Sequence, residues 1–231
     1  MRTIFLLISL ILFTNCQTTK SIRFSQKENE IVTNQNLKTF LANTKNPKIV
    51  LRVPYTSKEV SENDKNTYLY NAIEHEFLKN GFIVRDRQLF NQIIANSENN
   101  LNYEVLKQKS DTELIIELSQ LRDDIIYETN QYYDGNNNIK VEKDIFYKKA
   151  GAMVEFKVII VKNNEYAGVY KFHYSPCSVE PCVISLSIKD YEKLRKAQSK
   201  SEPIPVEIVN NDVMEDFIRR ATQQLINEMR K

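Results

Sequence analysis

Three cysteines, two histidines and the adjacent carboxylates Asp123-Asp124 are the residues that could do chemistry in this 231-residue chain. Cys177 and Cys182 stand five apart in SPCSVEPC, and an even pair outside the cytosol most often closes a disulfide. So short a loop removes only on the order of 2 kcal/mol of unfolded-state entropy. The bridge would therefore pin a turn already stiffened by Pro176 and Pro181. Two reduced thiols are the alternative. A two-cysteine metal site needs further ligands, and His75 and His173 make no ligand spacing with the pair. His75 lies between Glu74 and Glu76 on a helix, where a solvated face is the default. His173 alternates with an aromatic row and so points away from it. Asp123-Asp124 is a carboxylate pair in sequence only, because neighbours on a strand face opposite ways. With no glycine-rich phosphate loop and no nucleophile elbow, the expectation is a non-enzyme without cofactor, metal or small-molecule substrate.

Cys16 carries a different chemistry. Met1-Arg2-Thr3 gives a positive start, and Ile4 to Phe13 form an apolar run, IFLLISLILF. That run suits the core of a secretory signal and falls well short of the ~20 apolar residues of a membrane-spanning helix. It ends in Thr14-Asn15-Cys16, which resembles the lipobox read by lipoprotein signal peptidase, with a bulkier Phe13 in place of a small aliphatic residue. The alternative is a buried N-terminal element with an incidental cysteine. The resemblance implies cleavage after Asn15 and lipidation of Cys16. A diacylglycerol with an N-acyl chain holds a membrane stably where one chain does not.

Composition narrows the partners. Removing Arg2 with residues 1–15 takes the formal balance from +2 to +1, which predicts no attraction to nucleic acid. About 200 mature residues suit one domain with a sizeable core, and 42% hydrophobic residues exclude a disordered chain.

The elements follow from periodicity. Residues 16–46 read as a polar tether with a short helix around Leu37–Leu41, and 47–231 as one domain. KIVLRVPY (Lys48–Tyr55) is a strand. After the charged loop Thr56–Asn66, Leu69, Ala72, Ile73 and Phe77 mark a helix face that stops at Asn80-Gly81. Phe82–Val84 is a short strand, and Asp86 caps a helix whose Leu89, Phe90, Ile93 and Ile94 face inward. A third small helix covers Tyr103–Gln108, and ELIIEL (Glu113–Leu118) is a buried strand. Ile125–Tyr147 alternates on both sides of Asp134-Gly135-Asn136, the pattern of a long hairpin. Ala152–Val161 and Tyr166–Tyr174 pair across an Asn-Asn turn. Ile188–Lys196 is helical, and Asp212 caps a last amphipathic helix with Val213, Phe217, Ala221, Leu225 and Met229 inward. The fold class is α+β: a single mixed sheet with helices packed on it, a long central hairpin and a C-terminal amphipathic helix.

The run from Lys48 to Leu121 resembles the curli secretion channel (CsgG-like) family. That fold is shared more loosely with the N-terminal domain of TolB and with lipoprotein activators of peptidoglycan synthases. The residues that carry the resemblance are Gly81-Phe82-Ile83-Val84-Arg85-Asp86-Arg87 with Leu89, Ile93 and Ile94, then Ser110–Leu118, then Val154–Glu165. It extends over roughly Pro47–Tyr174 and the final helix. The family's glycines at positions 117 and 164 are replaced by Glu117 and Asn164. Arg87 at this place is a helix-terminal or sheet-edge partner and not a catalytic group.

What the resemblance implies is a lipid-anchored envelope protein of the bacterial outer membrane, facing the periplasm. Gln17-Thr18-Thr19-Lys20 lacks the acidic run that marks surface export in some bacteria. Its partners would be the membrane, through the anchor, and an envelope protein or further copies of itself, so that it acts as a binding or assembly module. The alternative is an oligomeric channel subunit in which Ile125–Tyr147 enters a shared barrel. Against it, the outward face of that hairpin would carry Thr129, Gln131 and Lys143, and a midplane lysine costs ~2–4 kcal/mol.

Overall fold

The computed structural model describes residues 17–53, 65–95, 110–134, 136–176, 182–200, 206 and 208–231. The leader with Cys16, most of the loop 56–66, the helix expected at Tyr103–Gln108, and Cys177 lie outside the described residues. In chain order the elements are β1 (Gln17–Ile22), β2 (Glu30–Thr33), α1 (Gln35–Asn43), β3 (Lys48–Arg52), α2 (Thr67–Lys79), β4 (Ile83–Val84), α3 (Arg87–Ala95), β5 (Leu114–Thr129), β6 (Gln131–Tyr133) and β7 (Ile139–Val141). Then follow β8 (Tyr147–Ile160), a 3-10 turn at Val161–Asn163, β9 (Glu165–Tyr174), β10 (Cys182–Ser187), α4 (Ile188–Ser199) and α5 (Asn211–Arg230). The class is α+β, as expected, built on a six-stranded mixed sheet. The chain divides into two compact units, one of residues 27–125, 151–174 and 208–231, the other of 1–26, 126–150 and 175–207.

The larger unit is organised by the strands that read as apolar runs. Its sheet has the order β2-β9-β8-β5-β3-β4. β3 runs parallel to β4 on one side and β5 on the other, with Ile49 opposite Leu114 and Leu51 opposite Ile116. Strands buried on both faces lose the polar alternation, which is why IVL and LII are continuous. β8 and β9 pair antiparallel from Ala152↔Tyr174 to Ile160↔Glu165, with one bulge at Val158/Ile159. The bulge puts Tyr166 at the surface while Tyr170 and Phe172 are fully buried. Asn164 closes the turn at φ +52°. It stands where the resembled family has glycine, and asparagine is the side chain that enters the left-handed region at least cost.

Helix α5 packs on α2 and reaches α1, β9 and β2. Of its apolar stripe, Phe217, Ala221, Leu225 and Met229 are buried as periodicity predicts, while Val213 in the first turn is half-buried. The cap is Asn210, whose Oδ1 accepts from the Val213 N–H at 2.8 Å, and Asp212 sits inside the first turn instead. Asp86 does cap α3, accepting from Gln88 N at 2.7 Å and Leu89 N at 2.9 Å. Phe90 and Ile93 pack on Val50, Ile115, Ile159 and Val161. Leu89, expected inward, is exposed, because so short a helix turns only a narrow face to the sheet.

The smaller unit holds a second sheet, β10-β1-β6-β7, so the sheet is not single. β1 pairs with β10 over all six residues, from Gln17↔Ser187 to Ile22↔Cys182, and Ile22 and Phe24 are buried. The segment read as a tether therefore carries β1, β2 and α1. The helix was expected around Leu37–Leu41; polar composition hid the two strands, because a strand needs paired backbone more than an apolar side chain. The long hairpin is present and runs further than expected. Residues 125–129 lie in β5 and Tyr147 opens β8, which are neighbours in the six-stranded sheet, and the three-residue β6 and β7 pair next to the turn.

Candidate functional site

The glycine-phenylalanine motif builds a helix corner. Gly81 has φ +81°; its N–H reaches Leu78 O at 3.1 Å, and the Phe82 N–H reaches Phe77 O at 3.2 Å. These are the two bonds of a Schellman motif. The apolar contact that accompanies it is present as Phe77 and Phe82, edge to face with ring centroids 5.1 Å apart. Arg230, from the end of α5, lies 5.0 Å over the Phe82 ring and donates to Asn80 O at 2.7 Å. Arg87 starts α3, 3.7 Å from Glu74 and 5.0 Å over Tyr70. It stands at a helix end, where the sequence placed it.

At the margin of the same sheet, Asp111 accepts from Lys48 Nζ at 2.8 Å and from Arg85. Hydrogen bonds from these two cations, Lys48 first, hold its carboxyl below the usual carboxylate range. A depressed carboxyl stabilises the fold above its unfolded pKa, and that contribution is lost as pH falls through the folded value. Asp111→Asn should therefore lower neutral stability by a small, solvent-screened increment and flatten the acid limb of a thermal-stability profile, while wild type loses the same increment as pH falls below the ordinary aspartate range. An unchanged acid limb in the variant would refute the assignment.

Next to the cluster covered by α3 runs a charged row, missed in the sequence. Glu30 on β2 meets Lys171 on β9 at 3.1 Å, and Lys171 lies 3.6 Å from Glu155 on β8. Glu155 accepts from the Ser119 hydroxyl at 2.7 Å. Glu117 on β5 accepts from Arg52 on β3 at 2.7 Å. Glu117 and Glu155 are each about nine-tenths buried. With Lys157, 3.9 Å from Glu155, the row has equal numbers of both signs. Its pairs therefore satisfy one another and leave no net charge to attract a ligand. The available signal was the repeat of charges within otherwise apolar strands: KIVLR, ELIIEL, VEFKV and YKFH. Glu117, where the family has glycine, is thus the partner of Arg52.

The two histidines and the Asp123-Asp124 pair sit in separate settings. His75 is exposed on α2, with Arg219 Nη1 3.4 Å from its Nδ1. Glu76, beside it, is buried and pairs with Arg219 at 3.2 Å across α2 and α5. His173 lies on the face opposite Phe172, its buried Nδ1 without a hydrogen-bond partner; burial, then Lys27, pulls its pKa down. Asp124 pairs with Arg122 at 2.9 Å and not with Asp123. No group of His, Cys, Asp and Glu among the described residues could hold a metal. Cys182 opens β10 opposite Ile22; Cys16 and Cys177 fall outside the described residues.

The smaller unit presents a different surface. Tyr127, Ile145 and Tyr147 are buried, and Ser175 Oγ donates to the Tyr127 hydroxyl at 3.1 Å. Gln198 on α4 bonds both backbone groups of Phe146, accepting from its N–H at 2.8 Å. Beyond this small core, Ile126, Ile139, Val141 and Phe146 are 40–60% exposed. No helix among the described residues is long and apolar enough to cross a membrane.

No family model matches the sequence, and no curated protein matches it. Among solved structures, the chain is similar to the PelC dodecamer from Paraburkholderia phytofirmans, at 8% identity and a TM-score of 0.37, over 86% of this chain and 96% of that one. It is also similar to the hypothetical protein CT253 from Chlamydia trachomatis, at 13% identity and a TM-score of 0.37, over 79% and 98% of the two chains. These likenesses are distant, and the functional reading rests on the chain's own residues.

Proposed function

We propose that this chain is a lipid-anchored envelope protein of the bacterial outer membrane, a non-catalytic binding or assembly module on the periplasmic side. The anchor reading rests on Thr14-Asn15-Cys16 behind an apolar run of signal length. The observation that carries the module reading is the group of exposed apolar side chains in the hairpin region, Ile126, Ile139, Val141 and Phe146. In the larger unit the near-buried carboxylates of the sheet are spent on ion pairs with neighbouring strands. In the smaller one these apolar side chains stand in solvent, the composition of a contact surface. The curli-channel alternative draws less support, because the hairpin face that would meet lipid carries Thr129, Gln131 and Lys143, and a midplane lysine costs ~2–4 kcal/mol. The test is to purify the lipidated protein in detergent and measure bilayer conductance beside Val141→Lys. The module reading expects no conductance and a melting point within about 1–2 °C of wild type, since Val141 is 60% exposed. Ring-shaped conducting oligomers abolished by Val141→Lys would replace it with a pore.

A further inference from the structure

We infer that β7 is a self-complementary edge through which two copies of this chain pair antiparallel about Val141. The inference rests on the assembly-module reading and names the partner as a second copy.

The backbone comes first. Asp134 N donates to Asn138 O, and Glu142 N donates to Asn130 O, both at 2.9 Å. With the register Tyr132↔Lys140, these fix Asn138, Lys140 and Glu142 as the residues bonded to β6. Ile139 and Val141 therefore turn their N–H and C=O groups outward. β7 ends the sheet order among the described residues, and Ile139 and Val141 are 46% and 60% exposed. An open edge of this kind is a pairing template, which natural sheets usually block with proline, a bulge or a run of charge. Here neither proline nor bulge occurs in β7.

The side chains select the occupant. Val141 is flanked by Lys140 and Glu142, a cation and an anion on the opposite sheet face. Placing a two-fold axis at Val141 sets Val141 against its own copy as a hydrogen-bonded pair. It also sets each Lys140 against the other copy's Glu142 as a non-hydrogen-bonded pair, where side chains approach most closely. Moving the axis to Lys140 or Glu142 would put like charges face to face, which is destabilising. Glu142 accepts from the Tyr147 hydroxyl at 2.8 Å, and the two oxygens of a carboxylate together have about four lone-pair sites for donors. Lys140 lies 3.7 Å from Asp134, too far for a hydrogen bond that would compete. So short an edge buries far less than the ~1,200–2,000 Å² of a stable complex, so the pair forms where an anchor concentrates the chains.

Single-cysteine crosslinking tests the register in the full lipidated chain, with native cysteines kept and wild type as baseline. Partners in a hydrogen-bonded antiparallel pair have Cα atoms ~5.5 Å apart, inside the disulfide range. Val141→Cys should therefore oxidise to a homodimer on membranes and, at high concentration, in detergent. Two Ile139→Cys positions would lie about 13 Å apart along the strands and should stay monomeric. Lys140→Glu should reduce the Val141→Cys dimer by about tenfold, and adding Glu142→Lys should restore it. Equal crosslinking at 139 and 141, no rescue by the double exchange, or an adduct of another mass would overturn the pairing. None of these outcomes touches the conductance test, so the module reading stands or falls separately.

Discussion

Cys16→Ser is expected to leave a full-length precursor that takes up no labelled fatty acid and leaves the membrane-pellet pattern of wild type. The physical reason is the nucleophile: a thioether to diacylglycerol needs the cysteine sulfur, which is far more nucleophilic than a serine hydroxyl near neutral pH. The change removes a covalent step, so the loss should be complete in gel mobility and in acyl labelling. Processing and labelling of the variant at wild-type levels would end the anchor proposal. The same export carries Cys177 and Cys182 into an oxidising compartment, where we propose that they join. Non-reducing peptide mapping should recover them as one linked peptide. Both recovered alkylated without prior reduction would refute the bridge while leaving the anchor untouched.

Phe82→Ala should be the most damaging single change in the larger unit. Phe82 is 3% exposed and Phe77 fully buried, and their rings meet edge to face. Truncating a buried phenylalanine costs about 3–5 kcal/mol through lost transfer energy and the cavity left behind. Two further losses are specific to this corner. The Schellman turn loses the apolar contact that closes it, and Arg230 loses the ring beneath its guanidinium. For a chain of this size the expected fall in melting temperature is on the order of 10 °C. Phe82→Leu, which refills much of the cavity, should recover more than half of it. If alanine costs less than about 1 kcal/mol in denaturant melts, the corner does not organise the fold as described.

The sequence by itself determined the interior of the larger unit. Ile49–Leu51, the α2 face with Phe77, and the α5 stripe were legible because burial imposes a period on apolar residues, and that period survives without tertiary information. The Gly81-Phe82 corner was legible for a related reason, since a left-handed residue leaves glycine as its mark. Tertiary structure alone decided the rest. β1 and β2 lie in a polar stretch, and their strand character comes from partners more than 130 residues away, Ile22↔Cys182 and Val32↔Val169. The hairpin had the right alternation. Its arms run on into β5 and β8, neighbours in the six-stranded sheet, and alternation alone did not show how far that ladder extends. The charged row was invisible for the same reason. Arg52, Glu117, Glu155 and Lys171 sit on four strands, and only the sheet order brings each charge beside its opposite.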